Sequence, residues 1–308
     1  MNNILVTGGT GMIGNAVKDV LPEAVYVSSK DYNLLDFNQA EKMFSDHNPD
    51  YVIHLAARVG GVKANYDNLG SFFIDNVRIN TNVLDFAMKY NVKKVISLLS
   101  TCVYPDNVEY PLTEDQISNG EPHYTNFAYA YAKRMLDVQS RALRGQYGCN
   151  YITAIPNNLF GAHDYFHLED SHVIPAIIRK IYEAKTQGTV PVFWGDGMPR
   201  REFTYSEDLA NILLFLLDNY DGEHPINIGN TKEYSIFEVV NLVSEILDYG
   251  GPIQWDETRL SGQFRKPSSN QKLIELGWET KMYTDFKEAL TNTCKWFIMN
   301  YPNIRGVN

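Results

Sequence analysis

The sequence predicts an α/β fold, a doubly wound parallel sheet followed by a smaller C-terminal lobe. Three observations carry the prediction. Short apolar, β-branched runs alternate with longer amphipathic stretches through the first half, the pattern of strands buried between two helical layers. A glycine cluster follows directly on the first of those runs. A chain of 308 residues with 44% hydrophobic and 21% charged residues is long enough to bury one large core and a second, smaller one.

In order, residues 4–7, 24–28, 51–56, 94–100 and 151–156 read as buried strands. Between them, 11–20, 37–45, 71–90 and 127–147 carry helical spacing, so the strands are joined by crossover helices and run parallel. The second half is less regular. Residues 173–185, 207–217, 236–247 and 285–299 read as helices, with short strands at 192–195 and 225–228. Glycine and proline cluster at 188–199 and 249–267. The alternation breaks near Phe160, which sets the expected division: residues 1–160 with 203–228 as the first domain, 161–202 and 229–308 as the second lobe.

Lys plus Arg is 27 against 37 for Asp plus Glu, a formal charge of −10. That excludes a sequence-independent nucleic-acid partner, which needs a basic face, and leaves room for a small anionic ligand bound by local charge. Cys102, Cys149 and Cys294 are too scattered for a disulfide framework or a zinc site, and no metal is expected. The longest apolar run, 212–217, is far short of a membrane span, and no cleavage signal precedes Ile4. A cytoplasmic protein with no membrane partner is the expectation.

The segment at 3–14 reads NILVTGGTGMIG. Glycines at a strand-to-helix turn let backbone N–H groups approach a pyrophosphate at the helix N-terminus. Gly8, Gly9, Thr10, Gly11, Met12, Ile13 and Gly14 therefore form the candidate dinucleotide cradle of a Rossmann-type domain. The end of the second strand reads YVSSKD at 26–31. Its hydroxyls and Lys30 suit a 2′-phosphate and favour NADP, while Asp31 leaves NAD open.

Tyr129 and Lys133 stand four residues apart and share a helix face. An ammonium beside a phenol favours proton exchange near neutrality. The same spacing recurs at Tyr26/Lys30, Tyr90/Lys94 and Tyr283/Lys287, so position decides. Only Tyr129 opens a long helix after the fourth strand, and that strand ends in Ser100, at the sheet edge where such folds place active sites. Ser100 is the candidate hydrogen-bond donor to a carbonyl that Tyr129 protonates. These groups speak for an enzyme over a non-catalytic nucleotide binder.

GGTGMIG, HLAA at 54–57, Ser100 and YAYAK at 129–133 resemble the extended short-chain dehydrogenase/reductases. LAARVGGVKAN at 55–65, LLSTCVYP at 98–105, NLFGAHDYFH at 158–167, SHVIPAIIRK at 171–180 and WGDGMPRREF at 194–203 resemble its GDP-L-fucose synthase branch, the GDP-4-keto-6-deoxy-mannose epimerase/reductases. The resemblance implies that NADPH is the hydride donor, with Tyr129 giving the proton and Lys133 holding the nicotinamide ribose. It implies Cys102 and His172 as base and acid for epimerisation at C-3 and C-5. It also implies cofactor contacts from Ala56, Leu98, Ser100, Thr101, Pro156, Asn158, Leu159 and His172. Lys180, Trp194, Arg201 and Lys266 are then the contacts for a GDP-linked keto-sugar, and the long helices at 71–90 and 127–147 a homodimer interface. The chain departs from the pattern at Leu99, at Ser261 before Gly262, and at the run PSSN (267–270) where an aspartate is expected. Those departures keep a second reading open: a C-4 keto reductase of a related GDP-hexose or GDP-6-deoxy-heptose without epimerase activity, serving capsule or surface polysaccharide.

Overall fold

The computed structural model describes residues 3–258 and 264–307. Its large sheet takes β1 (Ile4–Thr7), β2 (Val25–Val27), β3 (Tyr51–His54), β4 (Lys94–Leu98) and β5 (Tyr151–Ile155) from the first half, and closes with β9 (Ile226–Asn227). The strand order is β2-β1-β3-β4-β5-β9 with every pair parallel. The predicted strands are all present; β1 has its expected bounds, β3, β4 and β5 end earlier where the chain leaves the ladder for loops, and β2 and β9 are shorter at both ends.

Alternation along the strands fixes the register. Leu5, Val52 and Val95 enter one core with Met43, Phe44, Leu84, Phe86 and Leu136. Those partners come from α2 (Phe37–His47), α4 (Leu69–Lys89) and α5 (Phe127–Tyr147). Val6, Ile53 and Ile96 enter the other core with Ile13, Val17, Leu209, Leu213 and Leu216, from α1 (Met12–Val20) and α7 (Ser206–Asn219). A one-residue slip would exchange the two sets, at about 1.5–3 kcal/mol for each apolar side chain stranded outside its core. This is the doubly wound, Rossmann-type arrangement, with helices on both faces.

A third core lies apart from the large sheet. Phe160, Phe166, Ile177, Phe203, Val239, Phe286 and Phe297 build it, under α6 (Val173–Gln187), α8 (Ile236–Ile246) and α10 (Phe286–Asn300). Of the strands that accompany it, only β7 (Val192–Trp194) was expected, at 192–195; it pairs with β11 (Gln254–Asp256), while β6 (Asn158–Phe160), β8 (Arg200–Tyr205) and β10 (Glu233–Ser235) form a three-stranded sheet in the order β10-β8-β6. Two short helices, α3 (Val62–Asp67) and α9 (Gln271–Glu275), complete the chain. The less regular half of the sequence thus has a packed core of its own. Among the described residues no helix is long and apolar enough to cross a membrane, and no group of three His, Cys, Asp or Glu side chains could hold a metal.

Candidate active site

The site forms at the carboxyl ends of the parallel strands. Gly8 takes a left-handed backbone, φ 72°, which only glycine adopts without strain. A side chain at Gly14 would place its Cβ 2.5 Å from the Gly8 carbonyl oxygen, so this glycine is required by packing of helix on loop. Gly11 differs. Its Cβ would meet only that same oxygen, at 3.2 Å, and its outward side is open. Gly11 is also the N-cap of α1, with no side chain bonded to the N–H groups of the first turn. Open space before unpaired N–H groups is what a pyrophosphate requires, so the loop fits a dinucleotide. Ala56 closes the other side, its N–H donating to Thr7 Oγ1 at 3.2 Å.

At the end of β2, Asp31 Oδ2 accepts from the Ser28 N–H at 2.8 Å and the Ser28 hydroxyl at 2.7 Å. Those bonds hold its carboxyl below the ordinary range. That oxygen is committed to the turn, which weakens the NAD reading left open by the sequence. Lys30 stands exposed beside it, and the pocket edge fits a 2′-phosphate.

Beyond β4 the chain turns through a short 3₁₀ segment, Thr101–Val103, with Ser100 as its cap. Ser100 Oγ accepts from the Cys102 N–H at 3.4 Å. On α5, Lys133 is 4% exposed. Its Nζ donates to the Leu98 carbonyl at 2.7 Å and lies 5.8 Å from the centre of the Tyr129 ring. No carboxylate among the described residues pairs with it, so burial lowers its pKa to about 8. Tyr129 is half-buried. Loss of solvent, then the neighbouring Cys102, raise its phenol above the ordinary value, so it enters the neutral range as a proton donor. Cys102 is buried and its thiol is raised for the same reason, with the Ser100 hydroxyl, Lys266, Lys133 and Arg134 pulling the other way. Ser100, Cys102, Tyr129, Lys133 and Lys266 therefore share one electrostatic environment.

The remaining candidates spread around this centre. His172 is the N-cap of α6 and exposed at the rim, and among the described residues no hydrogen bond joins it to Cys102. Pro156 is buried behind β5, Leu159 packs on the second core, and Asn158 Nδ2 donates to the Glu202 carbonyl at 2.9 Å. Lys180 Nζ donates to the Val192 carbonyl at 2.8 Å and lies 5.8 Å from the Trp194 ring, so these two are brought together. Arg201 is half-buried beside Tyr110, and burial lowers its pKa; its Nη1 donates to the Arg200 carbonyl at 2.8 Å. Ser261 and Gly262 lie outside the described residues.

Two buried carboxylates were missed. Asp164 is 5% exposed and raised to about 6 by burial, with His172 and Arg305 acting against that rise. Glu202 is 2% exposed and raised to about 7 by burial. Glu202 follows two arginines in the sequence, so nothing in the local pattern marked it as buried.

A parallel sheet with a glycine cradle at its first turn, and a serine, a tyrosine and a lysine at its fourth strand, defines a dinucleotide-dependent enzyme class. The chain belongs to the NAD dependent epimerase/dehydratase family, whose model matches residues 4–229. Within that class it is 40% identical over 311 residues to GDP-L-fucose synthase of Dictyostelium discoideum, covering 98% of this chain and 97% of the relative. The structure of a GDP-L-fucose synthetase from Naegleria fowleri bound to NADP superposes with a TM-score of 0.91 at 41% identity, over 99% of this chain and 95% of that one. A GDP-mannoheptose C4 reductase from Campylobacter jejuni with NADP bound follows at 27% identity and a TM-score of 0.86, over 96% and 98%.

Proposed function

We propose that this chain is an NADPH-dependent epimerase/reductase of a GDP-linked 4-keto-6-deoxy sugar, of the GDP-L-fucose synthase type. The observation that carries the reading is Cys102, set on the turn capped by Ser100 and under the field of Lys133 and Lys266. A reductase alone needs Ser100, Tyr129 and Lys133; a thiol in the same pocket adds a base.

Protons beside a ketone are acidic because the enolate charge is shared with oxygen. Ser100 and Tyr129 hydrogen-bond that oxygen and lower the cost of the enolate. Cys102 removes the C-3 or C-5 proton from one face and His172 returns one to the other, inverting the carbon. Bound NADPH supplies the hydride for C-4. Tyr129 then delivers its phenolic proton to the developing alkoxide, and the Lys133 ammonium, anchored on the Leu98 carbonyl, keeps the phenolate left behind from being stranded in an apolar wall. Gly8–Gly14 and Lys30 would hold the cofactor phosphates, and Lys180, Trp194, Arg201 and Lys266 the GDP moiety. Arginine and lysine suit a diphosphate, and an indole offers a face to base or sugar.

The test is turnover in deuterated water. Deuterium at both C-3 and C-5 of the product is expected. None at either carbon would instead establish the second reading, a C-4 reductase of a related GDP-hexose or GDP-heptose, which the heptose reductase neighbour favours.

Residues 1–160 with 203–228 form the cofactor domain in this reading, and 161–202 with 229–308 the nucleotide-sugar lobe. The enzyme works as a cytoplasmic homodimer. Ile74 on α4 is 47% exposed, and Met135 and Val138 on α5 are 48% and 55% exposed. α4 and α5 pack side by side, so these side chains supply an apolar face suited to a second copy.

A further inference from the structure

Glu202 takes no part in the chemistry above, yet it is a buried carboxylate that accepts three hydrogen bonds. It neighbours Arg201 on β8, where successive side chains leave on opposite faces. Its Oε1 accepts from the Ser268 N–H at 2.8 Å. Its Oε2 accepts from the Ser268 hydroxyl at 2.6 Å and from Asn157 Nδ2 at 3.3 Å. Asn157 is itself fixed: Nδ2 also donates to the Asn230 carbonyl at 2.8 Å, and Oδ1 accepts from the Thr204 hydroxyl at 2.7 Å. The carboxylate is thus mounted rigidly on the three-stranded sheet and grips one residue of a distant segment.

That segment, 264–270, carries Lys266 two residues before Ser268. It has no helix or strand of its own, only an isolated bridge between Leu112 and Ser268. Leu112 donates to the Pro267 carbonyl at 2.8 Å and accepts from the Ser269 N–H at 2.9 Å, and Asn227 Nδ2 donates to the Ser269 carbonyl at 2.9 Å. Upstream, among the described residues, Arg265 pairs with Glu233 and the Phe264 carbonyl accepts from the Arg200 N–H at 2.9 Å and from Arg201 Nη1 at 3.5 Å. Ser268 belongs to the PSSN run at 267–270, where the resemblance led an aspartate to be expected.

We propose that Glu202 is a positioning residue which, with Ser268, latches the arm bearing Lys266 against the cleft and so sets affinity for the diphosphate of the nucleotide sugar. This rests on the GDP-sugar reading of the site. Glu202 touches neither cofactor nor substrate; it acts through Lys266. A latch on a binding arm predicts a loss in KM for the sugar nucleotide, with the chemical step and the NADPH site left alone.

Glu202→Gln should raise KM for GDP-4-keto-6-deoxy-mannose about tenfold, the effect of one lost hydrogen bond to a charged group, while kcat and KM for NADPH stay within about threefold. Hydrogen exchange over 264–270, measured without any ligand, should quicken in the same variant. Ser268→Ala, which keeps the backbone N–H, should give a smaller rise in KM, and Ser268→Thr should restore it; these variants decide the matter if Glu202→Gln does not fold. An unchanged sugar KM in folded Glu202→Gln, a fall in kcat alone, or unaltered exchange over 264–270 would overturn the latch. If the wild type turns over no GDP-keto sugar, the functional reading fails by itself. Exchange over 264–270, and the affinity for GDP measured by calorimetry, still decide the latch.

Discussion

Lys133 shows how burial tunes a single side chain toward a task. Its buried ammonium sits on one carbonyl, with no carboxylate paired to it among the described residues, and burial lowers its pKa to about 8; above that pH the charge proposed to steady the Tyr129 phenolate is lost. The kcat/KM for ketone reduction should therefore decline on the alkaline side with an apparent pKa near 8, read from an initial-rate pH profile. Cys102→Ser should abolish deuterium incorporation at C-3 and C-5 and spare reduction of a pre-epimerised substrate. Glu202 gives a stability prediction with the opposite sign to most acids. Burial, with Glu233 adding a little, raises its pKa to about 7. Its contribution to the fold is therefore full below the ordinary carboxylate range and is lost as pH climbs through about 7. Between about pH 5 and about pH 8, Glu202→Gln should gain on the wild type in thermal unfolding, by at most about 3 kcal/mol.

At the scale of elements, the glycine turn separates packing from binding. Gly14→Ala drives a Cβ into the Gly8 carbonyl at 2.5 Å and should lower the melting temperature along with cofactor affinity. Gly11→Ala meets one atom at 3.2 Å; it should keep the melting temperature nearly unchanged while NADPH affinity, followed by fluorescence titration, falls about tenfold or more as the methyl fills the approach. The same elements show what could be read in advance. β1, β3, β4 and β5 are buried on both faces, so composition alone marks them. β6 and β8 were hidden because Asn158, Arg200 and Arg201 break the apolar pattern, and their pairing comes from residues far along the chain. Position also sorted the repeated tyrosine–lysine spacing. Lys94 is spent on the Leu216 and Leu217 carbonyls, Lys287 on Glu245, and the Tyr26 hydroxyl on the Leu21 carbonyl, leaving Tyr129 and Lys133 on a helix beside the end of β4. Glu202 and Ser268 escaped because a contact across 66 residues leaves no periodic trace.

For the whole molecule, the helix that carries Tyr129 and Lys133 also presents Met135 and Val138 to solvent. If the proposed homodimer forms through this face, placing a charge there, as in Met135→Glu with Val138→Glu, should leave a monomer in analytical ultracentrifugation, with the Tyr129–Lys133 pair intact on the opposite face. The net charge of −10 describes the outer surface, whereas the cleft gathers Lys133, Arg201 and Lys266. The position of β9 has a consequence in time. A chain made from its N-terminus can lay down β1 to β5 and the glycine turn early, but the sheet waits for Ile226 and Asn227. Lys266 comes later still. During synthesis the nascent chain thus acquires its glycine turn, Tyr129 and Lys133 before Lys266, so in the proposed function the groups assigned to cofactor and chemistry leave the ribosome ahead of the cation assigned to the sugar diphosphate.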